Sequence, residues 1–155
     1  MLSPPRQPEF IMHPIGVIHS PFIDKALTPI QPTRSQAVGQ VEVFPEFAGG
    51  LQDLEGFSHI ILLYVFHQSR GYALQVKPFL DDQLHGLFAT RYPCRPNPIG
   101  LSIVQLSTRR ENILEIVGVD VLDGTPLLDI KPYVPDFDVR FETRTGWYET
   151  LKNRE

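Results

Sequence analysis

Residues Ile99 to Val121 read IGLSIVQLSTRRENILEIVGVDV, and this stretch decides the fold. Two runs rich in aliphatic and β-branched residues, Ile99 to Thr108 and Ile113 to Val121, flank the polar Arg109-Arg110-Glu111-Asn112. Two β-rich runs either side of a short polar segment predict a β-hairpin. Downstream, Asp123-Gly124-Thr125-Pro126 is a tight turn, because Gly tolerates positive φ and Asp can cap the loop through its side chain. Leu127 to Ile130 then resumes as a strand, and Gly146 to Asn153 reads as a terminal helical turn or two.

Upstream, Ser58 to His67 is the most apolar segment and reads as a central strand. Gly86 to Thr90 reads as a short strand. Ala37 to Phe44 alternates, with Val41 and Val43 on one face and Gln40 and Glu42 on the other, which marks a half-buried strand. Pro45 to Glu55 has room for one short helix with Pro45 in its first turn. Ile15 to His19 reads as a strand, and Ser20 to Ser35 as a loop punctuated by Pro21, Pro29 and Pro32. Residues 1–12 carry three prolines and read as a loose arm.

Strands dominate, helical periods are scarce and turn signals recur. The fold expected is mainly β, a small antiparallel β-barrel or bent sheet with short helical insertions. No strand runs through a Gly-rich turn into a helix, so no Rossmann fold is expected. The length of 155 residues suits a single domain over 1–155. Fifteen prolines weigh against long helices, since each interior Pro removes a hydrogen bond.

A formal net charge of −4 lacks the basic surplus usual in proteins that bind nucleic acid mainly through phosphates. Cys94 is the only cysteine, so no intrachain disulfide can form, which fits a reducing compartment. MLSPPRQPEF lacks the charged-then-apolar pattern of a signal peptide, and the longest apolar run, Ile60 to Phe66, is too short to span a bilayer as a helix. These features point to a cytoplasmic protein and away from a membrane.

The first candidate site is Ala89-Thr90-Arg91-Tyr92-Pro93-Cys94-Arg95-Pro96-Asn97-Pro98-Ile99-Gly100. Three prolines and a glycine stiffen an extended loop bearing two guanidinium groups, a hydroxyl and a carboxamide. A stiff loop loses little entropy on binding. Arg presents a planar fork that grips carboxylate or phosphate. Composition alone fits equally well a rigid corner with solvated arginines.

The second candidate is Asp120-Val121-Leu122-Asp123-Gly124-Thr125-Pro126, which reads as a plain β-turn or as an acidic site for a ribose or an amine. Third are the histidines. His59 and His67 bound the apolar strand and share a face if it is regular. His67 follows Phe66, and a ring plus an imidazole can bracket a flat base; a strand-end histidine bonded to backbone fits as well. No Cys-x-x-Cys or His-x-x-x-His pair exists, so no metal site is expected. Cys94 beside Arg95, or Ser20, Ser58 or Ser102, would serve a hydrolase, but no Gly-x-Ser-x-Gly elbow is present.

Together these pieces resemble one family. Pro14-Ile15-Gly16-Val17-Ile18-His19-Ser20-Pro21, Gln31-Pro32, Leu54-Glu55-Gly56-Phe57-Ser58-His59, Phe66-His67, the run ATRYPCRPNPIGLS, Asp123-Gly124-Thr125-Pro126 and Asp129-Ile130-Lys131-Pro132-Tyr133 occur in the order seen in the TsaA-like, or TrmO-type, family. The resemblance covers roughly residues 12–135, with 136–155 as a C-terminal extension.

The resemblance implies a β-barrel methyltransferase domain, a homodimer, and S-adenosylmethionine bound close to the subunit interface. Characterised bacterial members methylate N6 of threonylcarbamoyladenosine in the tRNA anticodon loop, so tRNA is the implied substrate. The implied cofactor contacts are Ile30, Gln31 and Pro32; Phe66 and His67; Arg91; Leu101; and the backbone from Asp120 through Leu122, Asp123 and Gly124 to Thr125. Arg91 would meet the cofactor carboxylate, and Phe66 would lie against the adenine. Arg95, Asn97, Lys131 and Tyr133 are the implied substrate-binding residues. His67, Asp129 and Tyr133 are candidates for a general base, and none is singled out.

Longer bacterial members add a second, C-terminal domain that handles tRNA, and this chain is acidic. Two other readings therefore stand beside the first: a non-catalytic S-adenosylmethionine-binding module, and a methyltransferase acting on a different RNA or small molecule.

Overall fold

The computed structural model describes residues 5–6, 8–24 and 35–153. Among the described residues eight strands form: β1 (Gly16–His19), β2 (Val38–Val43), β3 (His59–Val65), β4 (Gln75–Val76), β5 (His85–Gly86), β6 (Ile99–Arg110), β7 (Ile113–Val117) and β8 (Thr125–Pro132). Six of them close into a barrel in the order β1-β2-β7-β6-β3-β8, with β8 pairing back onto β1. Every pairing is antiparallel. Closure leaves no open strand edge. Strands β4 and β5 make a separate two-stranded ribbon.

The hairpin expected from Ile99 to Val121 is β6–β7, turning at Glu111-Asn112 with Glu111 at φ 54°. Its second arm stops at Val117, because Gly118 turns the chain with φ 96°. Alternation in β2 is as expected: Val41 and Val43 are buried, while Gln40 and Glu42 face outward. Barrel closure packs Ile18, Val41, Ile60, Leu62, Leu114, Ile116 and Leu127 into one aliphatic core, each at most 1% exposed. Burial on this scale is the main favourable contribution to folding.

Several local expectations need correction. Gly86 to Thr90 is not a strand; β5 ends at Gly86 and Leu87–Ala89 forms a 3-10 turn. Thr90 closes that turn, its backbone N and its Oγ1 both donating to the Leu87 carbonyl at 3.1 and 2.7 Å. Pro45 to Glu55 is not one helix but two 3-10 segments, Pro45–Leu51 and Leu54–Gly56, split where Asp53 adopts φ 70°. The central strand ends at Val65: the Phe66 N–H still bonds in register to the Pro98 carbonyl at 2.8 Å, but proline has no N–H to return the bond. His67 therefore lies past the regular strand, and the shared face argued for His59 and His67 is lost.

Two short helices, α1 (Pro135–Asp138) and α2 (Tyr148–Lys152), follow the barrel. The second matches the expected terminal turn; the first and the β4–β5 ribbon had no clear sequence signal. Trp147, just before α2, fastens this tail to the ribbon. Its Nε1–H donates to the Ala89 carbonyl at 2.8 Å and its ring stacks on His85 at 4.4 Å. Among the described residues no helix is long and apolar enough to cross a membrane.

Candidate functional site

The antiparallel order brings the C-terminal end of β3, the N-terminal end of β6, the segment after β7 and the start of β8 to one rim of the barrel. The stiff loop 90–98 crosses this rim. Arg95 lies inside the loop, its Nη1 donating to the carbonyls of Thr90, Tyr92 and Leu87 at 2.9, 3.1 and 3.3 Å. Its guanidinium also sits over the Phe88 ring at 5.8 Å. Arg95 thus ties the loop together. Arg91 is different: it is exposed and has no hydrogen-bond or ion-pair partner among the described residues. A positive fork on a braced loop, with no internal partner, is suited to an anion. Asn97 is exposed, and its backbone carbonyl accepts from Ile99 N at 2.7 Å.

Near the same rim a polar chain interrupts the mainly aliphatic interior. The Tyr64 hydroxyl meets Ser102 Oγ at 2.7 Å, and Ser102 Oγ donates to Asp120 Oδ1 at 2.7 Å. Tyr64 and Ser102 are buried, whereas Asp120 is half-buried. Burial pushes the Asp120 carboxyl up to about 6, against the opposing effect of the Ser102 hydrogen bond. The Tyr64 phenol is raised well above its ordinary value, first by burial and then by the Asp120 charge, while Arg91 acts in the opposite sense. Phe66 stands edge-on to Tyr64 at 5.5 Å and remains partly exposed.

The acidic turn is built into the same rim. Asp123 Oδ1 accepts from Ser20 N at 3.0 Å and lies 3.6 Å from His19 Nδ1. Gly124, at φ 80°, donates its N–H to the Ile18 carbonyl. Thr125 is buried and its hydroxyl donates to the Leu122 carbonyl at 2.6 Å. The Asp123 carboxylate therefore caps the end of β1, as a plain turn would have it. Ile30, Gln31 and Pro32 fall outside the described residues.

Phe66, His67, Arg91, Arg95, Asn97 and the segment from Asp120 to Thr125 share this rim. Leu101 sits beside it on the outer wall, 46% exposed and paired with Leu63. A groove of about 380 Å³ runs along that wall, lined by Met12, His13, Leu63, Ile99, Leu128 and Asp129. Lys131 and Tyr133 lie toward the opposite rim. Lys131 pairs with Ile61 across the ladder and forms an ion pair with Asp129 at 2.8 Å. The Tyr133 ring stands 6.3 Å from that of His59, at the start of β3. The seven residues of β3 span about 20 Å, so Tyr133 and Phe66 flank opposite ends of one strand.

Sequence reasoning missed Tyr64 as a site residue and considered Ser102 only as a hydrolase nucleophile. Ser102 has a phenol and a carboxylate for partners rather than an imidazole. The available signal was a lone Tyr in the aliphatic run Ile60 to Val65 and a Ser between Leu101 and Ile103.

A closed antiparallel barrel with a polar chain near one rim defines the class: a small β-barrel domain that carries an exposed arginine, Arg91, and a partly exposed aromatic ring, Phe66, at that rim, without a doubly wound sheet. The chain belongs to the family described as the tRNA-methyltransferase O N-terminal domain, whose model matches residues 17–139. It is 58% identical over 137 residues to a protein of Pyrococcus abyssi named as a probable S-adenosyl-L-methionine-binding protein, covering 88% of this chain and 74% of that one. It is 40% identical over 136 residues to mouse tRNA (adenine(37)-N6)-methyltransferase, covering 83% of this chain but 32% of the mouse protein. The crystal structure of TrmO from Pseudomonas aeruginosa matches with a TM-score of 0.76 at 41% identity, covering 89% of this chain and 62% of that one. The chain thus spans under two thirds of the solved relative and about a third of the mouse enzyme.

Proposed function

We propose that this chain binds S-adenosylmethionine at the Arg91 rim and transfers its methyl group to tRNA, at N6 of threonylcarbamoyladenosine in the anticodon loop. The observation that carries the reading is the exposed, unpartnered Arg91 on a braced loop, beside the half-exposed Phe66 ring and above a buried polar chain. These residues fit the cofactor: a guanidinium for its carboxylate, an aromatic ring for its adenine, and main chain from Asp120 to Thr125 for its ribose. Bound there, S-adenosylmethionine supplies a methyl group activated on a sulfonium centre.

The chain's own residues bind and orient. Alignment of donor and acceptor is the main demand of an in-line displacement. His67 and Leu101 complete the donor side, with Ile30, Gln31 and Pro32 expected to join from the loop before β2. Asn97 and the remaining guanidinium nitrogens of Arg95 lie on the same rim and suit the acceptor. The urea-like N6–H of the acceptor is more acidic than a plain exocyclic amine, so a modest base suffices, and His67 is the candidate on this rim.

The outer wall supports a homodimer. Ile99, Leu101 and Ile103 are 40%, 46% and 40% exposed on β6, beside Leu63 and Val65 of β3. A second copy covering this apolar strip would place the cofactor close to the interface. It would also bring Lys131 and Tyr133 of one protomer within range of the other protomer's rim. The barrel is the functional unit, with residues 136–155 as an extension, and the cytoplasm, where tRNA is modified, is its working compartment.

Calorimetric titration with S-adenosylmethionine tests the donor site. Arg91→Ala should weaken binding about tenfold or more, the loss expected for a charged hydrogen-bonding group. Unchanged affinity would refute this placement. A binding-only reading is favoured by the name of the Pyrococcus abyssi relative and by the net charge of −4. It predicts cofactor heat with no methyl transfer.

A further inference from the structure

The C-terminal extension is fastened beside the Arg91 loop. Gly146, at φ 56°, turns the chain so that Trp147 enters α2, and Thr150 Oγ1 donates back to the Trp147 carbonyl at 2.7 Å. The indole stacks on His85 of β5, with 4.4 Å between ring centroids and 19° between planes, and Tyr148 stands edge-on to it at 6.2 Å. His85 is itself held, its Nε2 lying 2.8 Å from Oδ2 of Asp81, whose side chain is 6% exposed. An indole N–H is a donor only. Here it donates to the Ala89 carbonyl at 2.8 Å. Ala89 ends the 3-10 turn Leu87–Ala89 and stands two residues before Arg91.

The loop's own bonds fix its shape and not its place. Arg95 Nη1 reaches the carbonyls of Leu87, Thr90 and Tyr92, and Tyr92 N donates to Thr90 Oγ1 at 3.2 Å, so the main chain is held on both sides of Arg91. All of those bonds lie within residues 87–95 and would travel with the loop if it moved. The end of the loop is tied to the barrel, where Phe66 N donates to the Pro98 carbonyl. Its start is tied to the ribbon, where Leu87 N donates to the Leu74 carbonyl at 2.8 Å, and Tyr92 stacks at 5.6 Å on Phe79, between β4 and β5. That ribbon is two strands of two residues each, too little for independent stability. Trp147 stacks on the ribbon and bonds to the turn, and so joins them.

We propose that Trp147 is a positioning residue for the donor site: through His85 and the Ala89 carbonyl it sets where the 90–98 loop sits, and thereby where Arg91 meets the carboxylate of S-adenosylmethionine. This rests on the reading of Arg91 as the anchor for that carboxylate. It carries the donor site past residues 17–139, the span of the family model, to the start of α2. Trp147 itself touches no part of the ligand. Its effect is confined to the ligand group that Arg91 holds.

The test is calorimetric titration at neutral pH, at a temperature where every variant is folded, with two ligands. S-adenosylmethionine carries the carboxylate. Methylthioadenosine has the same nucleoside and sulfur but lacks the amino-acid chain. Trp147→Phe keeps a ring on His85 and removes the N–H. It should lower S-adenosylmethionine affinity about threefold to tenfold, the range for one neutral hydrogen bond. Trp147→Ala removes the stack as well and should lose about tenfold or more. Neither variant should change methylthioadenosine affinity, a split that a general loosening of the fold does not produce. In an Arg91→Ala background Trp147→Phe should cost nothing further, the signature of coupled residues.

Wild-type S-adenosylmethionine affinity in Trp147→Phe and Trp147→Ala, equal losses for both ligands, or losses that persist with Arg91→Ala would overturn the role of Trp147 and leave the Arg91 site standing. No heat with the wild type, or full S-adenosylmethionine affinity in Arg91→Ala, would overturn both.

Discussion

The two sides of the barrel interior are built to different ends. Where β1, β2 and β7 meet, Ile18, Val41, Leu114 and Ile116 are fully buried in the hydrophobic core. Where β3 meets β6 near the rim, the interior holds a phenol, a hydroxyl and, behind them, a carboxyl. The first side stabilises; the second carries polar groups that a barrel built for stability alone would replace with methyl groups. Burial of the aliphatic side offsets the desolvation of polar groups on the other, which lies toward the rim from which the loop carrying Arg91 enters β6.

The comparison can be broken first on the aliphatic side. Leu114→Ala leaves a cavity in a rigid core and should cost about 2–5 kcal/mol, read from the denaturant midpoint, with donor affinity per folded molecule unchanged. A loss under about 1 kcal/mol would mean that this side is not the stabilising one. Gly100→Ala comes next. Its methyl would overlap the Tyr64 ring, forcing it off Ser102, at a cost of about 1–3 kcal/mol together with weaker donor binding. Neutral behaviour in both assays would show that the ring is free to shift.

The smallest expected effect has the opposite sign. The Asp120 carboxyl is raised from 3.8 to about 6 in the folded protein. Between those values the folded chain holds a proton that the unfolded chain has released, so the contribution of this group to stability is greatest below pH 4 and declines as pH rises through 6. Asp120→Asn removes this penalty. It should stabilise the protein above pH 6 by about 1–2 kcal/mol, the shift discounted for the residue's partial exposure, with the gap closing toward pH 4. Thermal melts at pH 4 and 8 check it; an Asp120→Asn protein that melts lower at pH 8 would contradict it.

The two sides also differ in how far the sequence discloses them. The β6–β7 hairpin, the alternation of β2 and the mainly β barrel are readable because turn chemistry and period-two patterns are local. The rim is not. From Ile99 to Ile103 the large apolar residues face outward and Gly100 and Ser102 face inward. A period-two reading of that run alone would bury Ile99, Leu101 and Ile103. What reverses it is Tyr64, 36 residues earlier, whose ring fills the space over Gly100, and no local pattern reports a partner at that distance. Thr90 hides its turn for a similar reason, since a β-branched residue favours a strand until its hydroxyl finds the Leu87 carbonyl. Arg91 was legible only as one of two guanidinium groups on a proline-stiffened loop, and the family resemblance is what singled it out. That Arg95 beside it serves the loop itself emerges only from its three carbonyl contacts.

The most direct test of the account is methyl transfer itself. Transfer RNA bearing threonylcarbamoyladenosine would be incubated with this protein and methyl-labelled S-adenosylmethionine, beside the same tRNA lacking that modification. The account predicts label in the modified tRNA, at N6 of that nucleoside, and its loss in Arg91→Ala. Label in neither tRNA despite measurable cofactor binding, or equal label with and without Arg91, would contradict it.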